Sequence, residues 1–224
     1  MKIIALSDIH GHTVHIKEFA DVLIIAGDFS PLYCQQDPIG TIDWINRTLF
    51  AWFKTLRVDK FIIVPGNHDF ACKYSFFRDD LDTIIHRSGL KNRVIYLNRD
   101  SCTIDGIKFY GIPDTEGLTG WAFSKPFNVD YTFDSDTDVL ITHQPPRVGD
   151  VGFVPSLNRE FGSTDLLDTI LKSNIRLHIC GHIHTGDHNK NQIRLHNGQV
   201  ADVYNVSILD EDYSVAYEPT IINL

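Results

Sequence analysis

Short apolar runs recur along the chain, and five of them end the same way. Lys2–Leu6 delivers Ser7-Asp8-Ile9-His10-Gly11, and Asp21–Ala26 delivers Gly27-Asp28. Phe61–Val64 delivers Pro65-Gly66-Asn67-His68-Asp69, Asp138–Ile141 delivers Thr142-His143, and Leu177–Cys180 delivers Gly181-His182-Ile183-His184. Apolar runs this short, punctuated by polar residues, predict strands buried on both faces. In an open α/β sheet, ligands bind where such strands end. Five ends carrying Asp, Asn or His therefore predict one convergent cleft.

The connections follow helical and hairpin rules. Thr41–Leu56 places Ile45, Leu49, Trp52, Phe53 and Leu56 at helical spacing, and Ser75–Ser88 does so with Phe77, Leu81, Ile84 and Ile85, stopped by Gly89. A third helix, Ser163–Ser173, has Ser163 as its cap and buries Leu166, Leu167, Ile170 and Leu171. Val94–Leu97 and Cys102–Ile104 lead to a turn at Asp105-Gly106 before Ile107–Tyr110. Gln192–His196 turns at Asn197-Gly198 and returns as Gln199–Val206, and Ser214–Tyr217 reads as the closing strand. Around ten strands exceed what one compact sheet holds comfortably, so two packed sheets with outer helices are expected in one domain spanning 1–224. The long connection from Pro113 to Thr137, with Trp121, Phe123, Phe127, Tyr131 and Phe133, is expected to wall the cleft.

Composition narrows the function. The chain has 224 residues, is 43% hydrophobic, and contains no run near the roughly 20 apolar residues of a membrane span. The few apolar residues before Asp8 are too short for a secretory signal, and Cys34, Cys72, Cys102 and Cys180 lack any paired spacing, so a reduced cytoplasmic protein is expected. A net charge of −9 without a basic stripe argues against a duplex-binding surface. His15, His86, His178 and His196 fit none of the five segments and read as ordinary histidines, whereas His12 and His188 flank them.

The strand-end residues point to metals. Asp8 and His10, and likewise His182 and His184, sit two apart and share a side of an extended segment. With Asp28, Asn67 and His143 they make a set too large for one tetrahedral zinc and free of thiolates. Such a set suits two divalent ions with mixed oxygen and nitrogen ligands, Mn²⁺, Fe or Zn²⁺, with Asp28 as the candidate bridge. Two ions of this kind generate hydroxide near neutral pH and clamp the oxygens of an in-line displacement at phosphorus. His68 is then expected to assist the leaving oxygen, with Asp69 orienting its ring.

Asp8-x-His10, Gly27-Asp28, Gly66-Asn67-His68-Asp69, Thr142-His143 and Gly181-His182-x-His184 together resemble, in order, the five blocks of the calcineurin-like metallophosphoesterases. The resemblance implies a four-layer αββα sandwich with a dinuclear centre. By matched position, Asp8, His10, Asp28 and His184 would hold one metal, and Asp28, Asn67, His143 and His182 the other. Gly27-Asp28-Phe29-Ser30, Trp121-Ala122-Phe123, His143-Gln144-Pro145-Pro146 and Gly181-His182-Ile183-His184 are similar to small metallophosphoesterase-domain proteins of the class III phosphodiesterase type. Pro65 before Gly66, and Phe29-Ser30 after Asp28, depart from the Ser/Thr protein phosphatase pattern. The expected activity is hydrolysis of small phosphodiesters, cyclic nucleotides among them, or of phosphomonoesters. A nuclease using the same site and a non-enzymatic scaffold are the alternatives. Dimers occur among similar proteins, and no interface pattern is legible here.

Overall fold

A computed structural model describes residues 1–224, and its elements alternate in the order the apolar runs predict. The first half contains β1 (Lys2–Leu6), β2 (Ala20–Ala26), α1 (Pro38–Trp44), α2 (Phe50–Thr55), β3 (Val58–Val64), α3 (Phe77–Ser88) and β4 (Val94–Tyr96). Next come β5 (Asp100–Ile104), β6 (Ile107–Ile112), the short β7 (Thr115–Glu116) and β8 (Ser124–Lys125), and β9 (Val139–Thr142). The chain ends with β10 (Phe153–Val154), β11 (Arg159–Glu160), α4 (Thr164–Leu171), β12 (Leu177–Cys180), β13 (Asn191–Arg194), β14 (Val200–Asn205) and β15 (Thr220–Asn223).

One sheet has the order β15-β1-β2-β3-β4, parallel except for β15, and the other has the order β13-β14-β12-β9-β6-β5. In the second sheet β14, β12, β9 and β6 run parallel, and antiparallel β13 and β5 form its edges. Strand alternation sorts the core into layers. Ile3, Ala5, Val22, Ile24 and Ile62 face Phe109, Val139, Ile141, Leu177 and Ile179 between the sheets. The alternate residues Ile4, Leu6, Leu23, Ile25, Phe61 and Ile63 turn outward against Leu49, Phe50, Phe53, Phe77 and Leu81 of the first helical layer. On the far side Leu140, Cys180 and Val203 pack on Leu166 and Ile170 of α4. This is an αββα sandwich, with both faces of each sheet covered.

The sequence reading holds at most boundaries and fails at some. The helix expected from Thr41 begins at Pro38, capped by Asp37, and α1 and α2 are joined through a π-helical turn at Ile45–Leu49. Gly89 terminates α3 with φ +79°, and Ser163 caps α4 by accepting the Leu166 N–H at 3.0 Å. Asp105-Gly106 makes the expected hairpin between β5 and β6, but Val94–Tyr96 joins the other sheet, parallel to β3. The expected closing strand at Ser214–Tyr217 is wrong. That segment forms a single bridge with Leu209, and the strand is Thr220–Asn223, which lies antiparallel on β1 and buries Ile222.

Candidate metal centre

The parallel strands β1, β2 and β3 of one sheet and β9 and β12 of the other end at a common edge. Backbone hydrogen bonds cross between their exits: Asp8 N–H to the Gly27 carbonyl at 3.0 Å, His10 N–H to Asp28 at 3.0 Å, and Gly181 N–H to His143 at 3.1 Å. Asp8, His10 and His184 there present ligand-type atoms all within 4.8 Å of one another, and so do Asp28, His143 and His182, and His10, Asp28 and His68. Asn67 adds its Oδ1, 3.0 Å from His143 Nε2. All seven predicted ligand positions are thus brought together.

Close packing holds this edge. Asp8, His10, Asp28 and His182 have φ of +53°, +39°, +52° and +70°, a backbone region costly for residues with a side chain. Gly27 has φ +103°, and a Cβ there would collide with the His143 ring. Gly66 needs no unusual φ; it is glycine because Asp28 packs directly over it. At Gly181 a Cβ would meet the Ser7 and Asp8 side chains.

Two buried carboxylates lie in this space, and their ion pairs run to histidines only. Asp28 Oδ2 is 3.1 Å from His143 Nε2 and 3.9 Å from both His10 Nε2 and His68 Nε2. Asp8 Oδ1 is 3.6 Å from His184 Nε2 and 3.9 Å from His143 Nε2. Burial alone would raise both carboxyls, but His184 and His143 outweigh it for Asp8, and His143 for Asp28, holding both well below the usual range. The same pairs raise His143 and His184 to about 9 against the depressing effect of burial. His10 is pushed down to about 4 by burial, and His182 to about 3 by burial and His143.

The donor set fits divalent cations. Both ring nitrogens of His10 are buried without a hydrogen-bond partner, an arrangement that costs free energy unless something accepts them as ligands. His143 Nδ1 donates to the Ala26 carbonyl at 3.0 Å, and His184 Nδ1 to the Asp210 carbonyl at 2.8 Å. In the neutral rings each Nε2 is then the free lone pair, aimed at the carboxylates, as metal-bound histidines require. The atoms on offer are carboxylate and amide oxygens and imidazole nitrogens, a set for Mn²⁺, Fe or Zn²⁺ rather than for a thiolate site.

The sequence profile of the calcineurin-like phosphoesterases matches residues 1–186, which contain every one of these residues. The chain belongs to the calcineurin-like phosphoesterase family. It is 27% identical to metallophosphoesterase domain-containing protein 1 of Homo sapiens over 252 aligned residues, covering all of this chain and 71% of that protein. The Mus musculus protein of that name matches to the same extent. A phosphopantetheinyl hydrolase structure from Mycobacterium tuberculosis shares the fold, with a TM-score of 0.52 and 18% identity over 92% of this chain and 89% of that one. As a calcineurin-like phosphoesterase the chain is a hydrolase of phosphoric esters, and the family generally uses a dinuclear divalent metal centre.

Around this phosphoesterase site, one expected contact is absent. Asp69 does not orient His68. Its buried carboxylate accepts the N–H groups of Ser30 at 2.8 Å, Gly66 at 2.7 Å and Phe29 at 3.4 Å, so it clamps the exit of β2 to the exit of β3. Burial, and then Asp28, raise this carboxyl to about 7. The His68 ring is instead held through Nδ1 by the Gln35 side-chain oxygen. Trp121 packs on His68 with ring centroids 4.3 Å apart, and Ala122 N–H bonds the Asn67 carbonyl at 3.0 Å. The Pro113–Thr137 connection therefore walls the site only near Trp121. Tyr131 and Phe133 pack in the outer core with α4, and Phe127 is exposed. His188 lies outside the cluster, stacked on Tyr217 with its Nε2 on the His184 carbonyl. No helix is long and apolar enough to cross a membrane.

Proposed function

We propose that this phosphoesterase hydrolyses small phosphodiesters at two divalent ions. Asp8, His10, Asp28 and His184 would hold one ion, and Asp28, Asn67, His143 and His182 the other. The observation that carries this reading is the pair of buried aspartates surrounded by imidazoles, with no lysine or arginine to balance them and both His10 nitrogens unpartnered. Asp28 stands in two of the three potential ligand groups, which supports it as the bridge. Bound ions of this type supply Lewis-acid polarisation of the phosphoryl group and lower the pKa of water.

The chain's own residues do the rest. His68, with Nδ1 donating to Gln35 and Nε2 toward Asp28, is oriented so that its imidazolium form gives the Nε2 proton to the departing ester oxygen. Gln35 fixes which nitrogen is free. Asp69 positions the site by tying the Asp28 loop to the Asn67-His68 loop. Small diesters, with cyclic nucleotides as a test class and monoesters as the competing class, fit a cleft with aromatic walls at Trp121 and a chain charge of −9 that disfavours long nucleic acid.

The decisive experiment strips the metal and follows hydrolysis of bis-p-nitrophenyl phosphate and p-nitrophenyl phosphate with and without Mn²⁺, for wild type and Asp28→Ala. Diester cleavage that needs metal and disappears in the variant, with bound metal lost as measured by elemental analysis, is expected. Metal-independent cleavage, or full activity in Asp28→Ala, would overturn the reading.

A further inference from the structure

Beyond the segment matched by the family profile, residues 207–217 fold back over the mouth of the site. Asp210 organises this turn with both its backbone and its side chain. Its Oδ1 accepts the N–H groups of Asp212 at 3.0 Å and Ser214 at 2.9 Å, and its own N–H bonds the Ser214 carbonyl at 3.0 Å. Its carbonyl is the acceptor for His184 Nδ1 at 2.8 Å. One aspartate thus ties the turn to a candidate metal ligand.

The turn presents Tyr213. Its backbone has φ +60°, a conformation costly for a bulky residue and held here by the Asp210 cap. The phenol ring stands edge-on to His10, with centroids 5.0 Å apart and planes at 71°, and to His184, at 5.3 Å and 81°. His68 is 6.3 Å away. The residue remains 37% exposed, so packing alone does not account for strained backbone at this position.

A phosphoryl group entering this mouth carries non-bridging oxygens that need donors. Neither Asp8 nor Asp28 brings a lysine or arginine with it, since their ion pairs are with histidines. Tyr213 stands directly over His10 and His184, where a donor would face an entering phosphoryl group. We propose that Tyr213 is a substrate-contacting residue whose hydroxyl donates to a non-bridging phosphoryl oxygen, and that the Asp210 turn positions it. The inference rests on the hydrolytic reading of the site. It adds a residue outside the five sequence blocks and assigns the turn a share in recognising the phosphoryl group.

The test uses the full chain loaded with Mn²⁺ and two readouts: kcat and KM on bis-p-nitrophenyl phosphate, and inorganic phosphate binding by calorimetry. Tyr213→Phe keeps the ring and removes only the donor. It is expected to retain wild-type metal content, lower kcat by about 10- to 100-fold with little change in KM, and weaken phosphate binding. Asp210→Ala should reproduce part of that loss and Asp210→Asn, which keeps an Oδ1 acceptor, should restore it. Unchanged kcat and phosphate affinity in Tyr213→Phe, with wild-type turnover intact, would overturn the inference and leave the hydrolytic reading standing. Loss of bound metal in Tyr213→Phe would also overturn it, by reducing Tyr213 to a support for His184. Phosphate binding that depends on Tyr213 in a wild type that turns nothing over would sustain the inference and overturn the reading beneath it. Failure of loaded wild type both to turn over the diester and to bind phosphate would overturn both.

Discussion

The floor and the rim of the cleft are built on opposite terms. The floor consists of strand exits: Asp8 and His143 are fully buried, backbone bonds tie one exit to the next, and glycines stand wherever a Cβ would strike a neighbour. The rim consists of Gln35, Trp121 and Tyr213, side chains from three irregular segments that reach the site from loops. A floor without spare volume tolerates little change, and so keeps one chemistry. A rim on loops can vary without disturbing the sheets, which is where substrate choice is expected to lie. The difference separates what reaction the protein performs from what it performs it on.

The largest test of that comparison adds one methyl group to the floor. Gly181→Ala forces a Cβ against Ser7 and Asp8, where both neighbours are buried and unable to yield. We expect turnover and metal affinity to fall by about 100-fold, read by kinetics and metal titration, and stability to fall by about 1–3 kcal/mol. Gly89→Ala is the open-space control: its φ is +79°, but a Cβ there meets nothing. It should cost only backbone strain, about 1 kcal/mol, with wild-type turnover. Equal damage from both would show that the tight floor is irrelevant to function.

Asp69→Asn probes the floor more gently. Both carboxylate oxygens accept backbone N–H groups, Oδ1 from Ser30 and Oδ2 from Gly66 and Phe29. An amide cannot accept on both sides, so one buried N–H faces another donor. The expected loss is about 1–3 kcal/mol in stability, with metal affinity down about tenfold because the Asp28 and Asn67 loops separate. Unfolding in denaturant and metal titration would check the two parts. Unchanged metal affinity would remove Asp69 from any positioning role.

What could be read from the sequence follows the same division. The strand exits were legible because a buried apolar run ending in Asp, Asn or His is itself a pattern, and five of them converge. Asp69 was misread because adjacency to His68 suggested contact, whereas the tight turn points the two side chains at different partners. Gln35 holds the His68 ring from 33 residues away in the sequence, on a loop without periodicity, so only the fold reveals it. Tyr213 lies one residue before Ser214–Tyr217, the segment expected as the closing strand. Val215 there is 49% exposed, and the apolar side chain that a strand must bury is supplied later, by Ile222 on β15. Short alternation near a chain end names a strand only when a partner edge is free to accept it, and β1 offered that edge to Thr220–Asn223.

The mildest test asks whether burial of a histidine near the floor is enough to make it part of the site. His178 lies on β12, on the face opposite Leu177 and Ile179, four residues before His182. Its Nε2 is 2.9 Å from Thr142 Oγ1, while its buried Nδ1 has no partner, so burial depresses it to about 3, as it does His182. The native state therefore refuses a proton that the unfolded chain accepts below about pH 6.5. Stability is retained above that pH and lost as pH falls from about 6.5 toward 3, by up to about 1.4 kcal/mol per pH unit. In His178→Gln this contribution is gone, while those of His10 and His182 remain in both proteins and cancel in the comparison. Denaturant unfolding of the metal-free proteins between pH 7 and pH 5 should show the shallower slope in the variant, and turnover near neutral pH should match wild type. Identical slopes would mean that His178 takes up its proton in the native state. A collapse of turnover would extend the floor up the strand, past the exits that now bound it.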